Sequence, residues 1–540
     1  MLLTIVLTTF LTSLLIYHVF DKKIRNKINE FLLSILFLFV NSIGYLFAFS
    51  YSCFISSATE EGLFSLPGPP TIPFLGNIYT FHLPVHKWFM KMSKTYGPIY
   101  KLKMGSLNWI VISDSKVAKE LFLMQGADYS SRPVFATGIY SRGGKTIALC
   151  PYGNYLKMTR SLTQQGFRPH IIDTTYFPII KQTVADLIHK LSGYKSAAVN
   201  PDDHFAYTIT LTLALIVYGR TSSEHGDILI DEYVKIVDDA VPLISFSSYA
   251  ADIFPWMRYL PFVQKSELHA ANIRNNVDQT SKKLNEDLLK RMKEFGDKEN
   301  SFAAQIMRYE NGMYTMDWHD FNYLFSMLLI GGSSVITTMK WTIGFLAKDQ
   351  DIQQRIQHEI KEIVGEGKIP TLEQLEKLYY MQAVLKEIWR MRPPLYLLLP
   401  HSPSKDKVYR GYHILKDSSL VVDVMSLHHD PSIFPNPEMF IPSRWLNSDG
   451  TLKQCDDLND IWQFSKGRRR CPGDFLAERI INTLLCMLLA SFNIEPEIDA
   501  MTGKFVNLNL EAYEHGTVMT PREYKVRFVK RDNVTFPEKV

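Results

Sequence analysis

The stretch FSKGRRRCPGDFLAERI, residues 464–480, constrains this chain more than any other segment. A cysteine follows three arginines and precedes Pro-Gly, in a chain with only 5 cysteines. Nearby cations favour the ionised form of a thiol, so Cys471 is expected as a thiolate. Pro472 suits the first turn of a helix, where its missing N–H goes unused. The pattern DFLAERIINTLLCMLLASF then continues at helical spacing. Cys471 is therefore expected at a helix N-terminus, where the dipole adds to the arginines. The plainer alternative is a free cysteine buried as a small hydrophobe.

Bulk properties narrow the classes. The 540 residues are 46% hydrophobic, enough for a large core. A net charge of +4 is small for this length and argues against a nucleic-acid binder. Cysteines fall at 53, 150, 455, 471 and 486, with no C-x-x-C pair. That argues against a disulfide framework or tetrahedral zinc, and fits a reducing compartment.

Residues 1–20 and 31–57 are each uncharged, and each is long enough to cross a bilayer, which takes about 20 apolar residues. Residues 1–57 are expected to anchor the chain in a membrane through one or two spans. A cleaved signal peptide is the alternative for the first stretch, but its apolar run is too long and it lacks a basic start. Two full spans around a cytosolic body would put the basic DKKIRNK loop outside, against the positive-inside tendency; a first segment lying on the surface avoids this.

The proline-rich LPGPPTIPFLGN, residues 66–77, reads as a stiff connector. No second linker divides residues 58–540, which read as one mainly α body with small β-sheets. Strand-like runs lie at 98–113 and 407–427, and the charged stretch 266–300 reads as a solvated helix face.

The pattern F-x-x-G-x-R-x-C-x-G runs through Phe464, Gly467, Arg469, Cys471 and Gly473. It resembles the haem-binding loop of the cytochrome P-450 monooxygenases, eukaryotic microsomal type. The resemblance implies that Cys471 is the axial thiolate of haem b, that Arg469 pairs with a haem propionate, and that Phe464 packs on the thiolate side. Gly467 would supply a turn closed to other residues, and Gly473 a close approach for the haem. Further motifs agree in order. KEIWR carries Glu387 and Arg390 on one helical face, and FPNPEMFIPSRW carries Arg444. The family joins three such residues into a buried salt-bridged triad. YGNYLKMTR resembles the helix crossing the haem edge: Leu156 replaces the usual Trp, Lys157 stands for a propionate-binding Arg, and Arg160 is kept. His401, in LLLPH, is a further propionate candidate.

The segment LLIGGSSVITTMKW resembles the family's long oxygen-activating helix. It places Gly331 at the glycine, Ser333 at the usual acid and Ser334 at the usual threonine. Ser334 could order a water beside bound oxygen, whereas Ser333 offers no titratable group to relay protons. Three functions follow. The first is a monooxygenase using O2 and NADPH electrons delivered by a reductase. The second is a haem-thiolate isomerase or lyase acting on a peroxide or other oxygenated substrate. The third is a non-catalytic haem-binding protein. Lys466, Arg468 and Arg470 would form the basic face that meets the reductase. The substrate is expected to be lipophilic, contacted from 325–334, 393–400 and 133–149. DIFPWMRYLPF, residues 252–262, is either a membrane-dipping substrate entrance or a buried connector. The expected location is the endoplasmic reticulum membrane with the body facing the cytosol; glycosylation at Asn533 would put it in the lumen instead.

Overall fold

A computed structural model describes residues 65–534, apart from 82–83, 134–144, 220–249, 309–315, 417, 456–459, 512, 515–517 and 533. The N-terminal anchor and the Asn533 sequon lie outside the described residues. The body is mainly helical with small sheets, as expected.

Strands β1 (Ile99–Met104) and β2 (Leu107–Ile112) form an antiparallel hairpin. Its turn is tight because Gly105 takes a φ of +59°. The proline-rich segment before it is no free connector. Asn77 is buried, its side-chain oxygen accepts from the Lys103 amide at 2.6 Å, and its side-chain nitrogen donates to the carbonyls of Pro69 and Pro70. Those bonds fasten residues 69–77 to β1, which composition alone does not reveal.

The helices that shape the site follow in order: α1 (Asn154–Gly166), α2 (Phe177–Ser192), then strand β3 (Ala198–Val199) and α3 (Pro201–Tyr218). Helix α3 starts on the Asn200 side chain and stops at Gly219, whose left-handed φ of +71° ends the helix. The long α4 (Pro261–Phe295) contains the charged stretch. Its face is only half solvated: Ala270, Ile273, Val277, Leu284 and Leu288 form a buried stripe at helical spacing.

The expected central helix is two helices, α5 (Trp318–Ile330) and α6 (Ser333–Lys348). Adjacent glycines, the weakest helix formers after proline, separate them at 331–332, and the Ser334 hydroxyl donates to the Gly331 carbonyl at 3.1 Å. Residues His319–Lys348 are apolar enough to cross a membrane by composition, but 67% of the most apolar window is buried in the protein. Helices α7 (Gln350–Ile363) and α8 (Tyr379–Met391) come next.

Strands β4 (Lys407–Tyr409) and β5 (Tyr412–Ile414) pair as a hairpin, and β6 (Ser419–Val422) joins β2 in parallel. The short α9 (Val424–His428) follows, and α10 (Asp474–Ser491) runs through the core, buried on nearly every side. Its end passes into β7 (Phe492–Pro496). Beyond it, β8 (Tyr513–Glu514) pairs with β9 (Thr520–Pro521), and β10 (Val526–Lys530) lies between β3 and β7.

Candidate active site

The loop that ends at α10 is folded by its own backbone. The Cys471 amide donates to the Phe464 carbonyl at 2.8 Å, and Gly467 turns the loop at a φ of +73°. A Cβ at Gly467 would sit 2.3 Å from the Phe122 carbonyl oxygen, so only glycine fits there. Helix α10 begins at Asp474, with Gly473 at its N-cap. Pro472 therefore precedes the helix instead of entering its first turn.

Cys471 opens onto an internal cavity of about 320 Å³. Protein on its other sides pushes the thiol up to about 11, against the lowering pull of the Gly473 amide, Arg160 and Arg470. The flanking arginines pull the thiol down, but desolvation outweighs them. The reason lies in where they point. Arg469 turns to the carbonyls of Ser130 (2.8 Å) and Cys150 (2.6 Å), while Arg470 pairs with Asp474 on the surface.

Arg132, Arg160 and Arg469 form a cationic wall of the cavity, and the imidazole of His401 lines it beside Arg132 and Arg469. Arg132 donates to the carbonyls of Leu399 and Pro400, and Arg160 to that of Arg470. None of the three guanidiniums has an ion-pair partner among the described residues. Burial, then Arg469, hold Arg132 well below its ordinary range. His401 is buried, its Nδ1–H donates to the Tyr129 carbonyl at 2.7 Å, and burial followed by Arg132 keeps it well below about 6.5.

Lys157 does not join this wall. It sits on the exposed face of α1, 5.5 Å from the Tyr152 ring centre, and is not among the residues that line the cavity. Arg132 faces the cavity instead. It lies in a plain SSRP sequence, so no local motif marks it.

Another wall of the cavity carries the break between α5 and α6. Gly331, Ser333 and Ser334 border the cavity with the apolar Met327, Leu328 and Ile330. Thr338 borders it too, but its hydroxyl is engaged: it donates to the Ser334 carbonyl at 2.9 Å and accepts from Trp389 Nε1 at 3.2 Å. Trp389 in turn meets Phe464 edge-on at 5.6 Å. From the 393–400 turn, Pro394, Leu395, Leu398 and Leu399 line the cavity, and from 133–149, Ile147 and Ala148 do.

Behind the loop, Glu387 and Arg390 are fully buried and bonded through both carboxylate oxygens, at 2.9 and 3.0 Å. Arg444 reaches Glu387 at 3.1 Å, and Trp445 Nε1 and the Ile441 amide donate to it at 2.9 Å each. Arg390 spends its remaining donors on the carbonyls of His428, Pro437 and Met439. Every lone pair and proton of the pair is occupied, as a buried ion pair requires.

The family model for cytochrome P450 matches residues 66–528. Among similar curated proteins, cytochrome P450 monooxygenase yanC of Aspergillus niger is 27% identical, over 86% of this chain and 89% of its own. Cytochrome P450 76C1 of Arabidopsis thaliana is 28% identical, over 83% and 90%. The human steroid 17-alpha-hydroxylase/17,20 lyase is 26% identical, over 81% and 86%. A match across that much of the chain, on this fold and this cavity, leaves one conclusion: the chain belongs to the cytochrome P450 family, the haem-thiolate monooxygenases.

Proposed function

We propose that Cys471 is the axial ligand of haem b in this chain, and that the enzyme hydroxylates or otherwise oxygenates a lipophilic small molecule with electrons passed from NADPH by a reductase. One observation carries the reading: a thiol and an uncompensated guanidinium wall share a single apolar cavity. The residues present suit the group. Cations without counter-charges, Arg132 and Arg469 buried and Arg160 half-buried, call for an anion, and two propionates against these three arginines, with the neutral His401 beside them, would answer that need. A Cβ at Gly473 would meet nothing nearer than Phe167 at 3.9 Å, so the glycine keeps space open where a flat macrocycle would lie. Haem bound there supplies the activation of O2 and the transfer of one of its atoms to substrate, with the thiolate pushing electron density onto iron.

The chain's own residues do the rest. The leucines of 395–399 and the apolar face of α5 hold an apolar substrate and exclude water. The Ser334 hydroxyl gives its proton to the Gly331 carbonyl and keeps lone pairs for a water. Protons reach the cavity through that hydroxyl and its water, since the position beside it is Ser333 rather than an acid. The lack of a titratable group on this wall favours a second reading, a haem-thiolate isomerase or lyase on an oxygenated substrate, which needs no proton relay.

Arg468 and Arg470 are exposed around the loop, with Lys466 half-buried beside them. Lys157 and Arg468 both stack on Tyr152, so Lys157 extends this basic rim. Such a rim suits an acidic reductase. On another flank, Phe74, Trp256 and Tyr259 are exposed, in two segments that the β1–β2 turn ties together through the bonds of Gly105 to Leu75 and Ser106 to Ile253. An aromatic flank of this kind supports placement against a membrane, with residues 1–57 as anchor, residues 58–540 as the catalytic body and the endoplasmic reticulum as the site. NADPH consumption by the purified holoenzyme with a microsomal reductase tests the proposal. Oxygen-coupled consumption is expected; turnover with peroxides but none with NADPH would select the second reading.

A further inference from the structure

Residues 461–465, which lead into the cysteine loop, have few polar anchors of their own. Trp462 is buried, and its indole N–H has no hydrogen-bond partner among the described residues. The loop nevertheless hangs on this residue: the Ser465 amide donates to the Trp462 carbonyl at 2.9 Å, Ser465 takes a positive φ of 57°, and the carbonyl of Phe464, two residues after Trp462, accepts from the Cys471 amide. What holds Trp462 is a side chain from a distant element. The Trp462 amide donates to Nε2 of His428 at 2.8 Å.

His428 ends α9 and is 1% exposed. Its other ring nitrogen, Nδ1, donates to the Arg390 carbonyl at 3.2 Å, and the Arg390 guanidinium donates back to the His428 carbonyl at 3.0 Å. The tautomer is dictated by these partners. A carbonyl can only accept and an amide N–H can only donate, so the ring is neutral with its proton on Nδ1. Burial, then His429 and Arg390, hold the imidazole well below about 6.5, consistent with that form.

We infer that His428 is a positioning residue for the cysteine ligand: its imidazole ties the buried Glu387–Arg390 pair to the Trp462 amide, and through it fixes the register of the loop that presents Cys471. The inference rests on the reading of Cys471 as haem ligand. A residue with one donor and one acceptor in line can carry this link, and an apolar one of the same size cannot. Leaving both the Trp462 amide and the Arg390 carbonyl unpaired in a buried site frees the loop to shift.

The test compares holoenzymes of wild type, His428→Phe, His428→Gln and the neighbouring His429→Phe, whose imidazole bonds to the Met425 carbonyl of its own turn. Two readouts are taken: hydrogen–deuterium exchange across 461–471, and the fraction of reduced protein giving the thiolate-type Soret band under carbon monoxide. In His428→Phe, exchange at Trp462 and Ser465 is expected to rise about tenfold, with a smaller thiolate fraction. His428→Gln, whose amide both accepts and donates, should restore both, and His429→Phe should change neither. Unchanged exchange and spectrum in His428→Phe would overturn the inference, as would a His428→Gln as disturbed as His428→Phe. Should His428→Phe give no holoenzyme, His428→Gln decides alone: wild-type behaviour supports the link, and a perturbed loop contradicts it. A wild type without the thiolate band would remove the ligand reading, while exchange would still judge the link from His428 to Trp462.

Discussion

Arg469 donates to the carbonyl oxygen of Cys150 at 2.6 Å, across 319 residues of sequence, although it stands two residues from Cys471. That one contact joins the loop before α10 to the segment before α1, and it turns a cation written beside the sulfur into part of the cavity's cationic wall. The wall's unmet charge is the strongest physical sign of what the cavity takes.

Replacing a wall arginine should therefore weaken haem retention more than it harms the fold. Arg132→Gln or Arg469→Gln is expected to speed haem transfer to apomyoglobin by about 10- to 100-fold, the loss of one charge-assisted bond. The apoprotein should unfold at the wild-type temperature or slightly above, because a like-charge contact is relieved. Stopped-flow haem transfer and thermal unfolding of the apoprotein check the two halves.

The buried triad should behave in the opposite way. Arg390→Leu strands the Glu387 carboxylate inside the protein, at a cost of about 3–5 kcal/mol. Arg444→Leu should cost less, because Arg390, Trp445 and the Ile441 amide still hold the same carboxylate. Denaturant unfolding of the two variants measures the order.

Stability should fall as pH drops below about 6.5. His401 and His428 are both held neutral in the fold, the first by burial, Arg132 and Arg469, the second by burial, His429 and Arg390. Unfolding frees them to take protons, so acid favours the unfolded chain, and the stability is fully present only above the unfolded value. Asp423 acts with the reverse sign: burial raises its carboxyl to about 7, so its contribution is lost as pH rises toward that value. The Asp423→Asn variant should consequently show a steeper acid loss than wild type in unfolding curves between about pH 4 and 7.

Ser334→Ala should cut product formation per NADPH by about tenfold or more, since the hydroxyl orders the water that brings protons. Ser333→Asp should raise that ratio by returning a titratable group beside it. Product and NADPH measured in the same reaction give the coupling directly.

On the surface, Arg468→Glu should raise the reductase concentration needed for half-maximal turnover and flatten its salt dependence, leaving the carbon monoxide spectrum as it is. Titration with reductase at two ionic strengths tests this.

Much of the site was legible because its residues come in short runs. The turn at Gly467, the thiol at Cys471 and the E-x-x-R pair at Glu387 and Arg390 are each set by neighbours within a few positions. Arg132 was not legible, because its role comes from the carbonyls of Leu399 and Pro400, brought to it where Ser402 bridges to Ser131. His428 escaped for the same reason: a histidine among ordinary loop residues becomes a link only when Arg390 and Trp462 meet around it. Helical position alone does not say which face of α1 looks inward, so the exposure of Lys157 was not legible. The break at 331–332 was not legible in the sequence, whose resemblance implies one long helix across the two glycines; the fold shows both glycines lining the cavity.

The central claim is tested most directly by the carbon monoxide spectrum of the reduced holoenzyme, taken for wild type and for Cys471→Ser. The account predicts the thiolate-type Soret band in wild type and its loss in Cys471→Ser. A wild type with haem bound but no such band would contradict it.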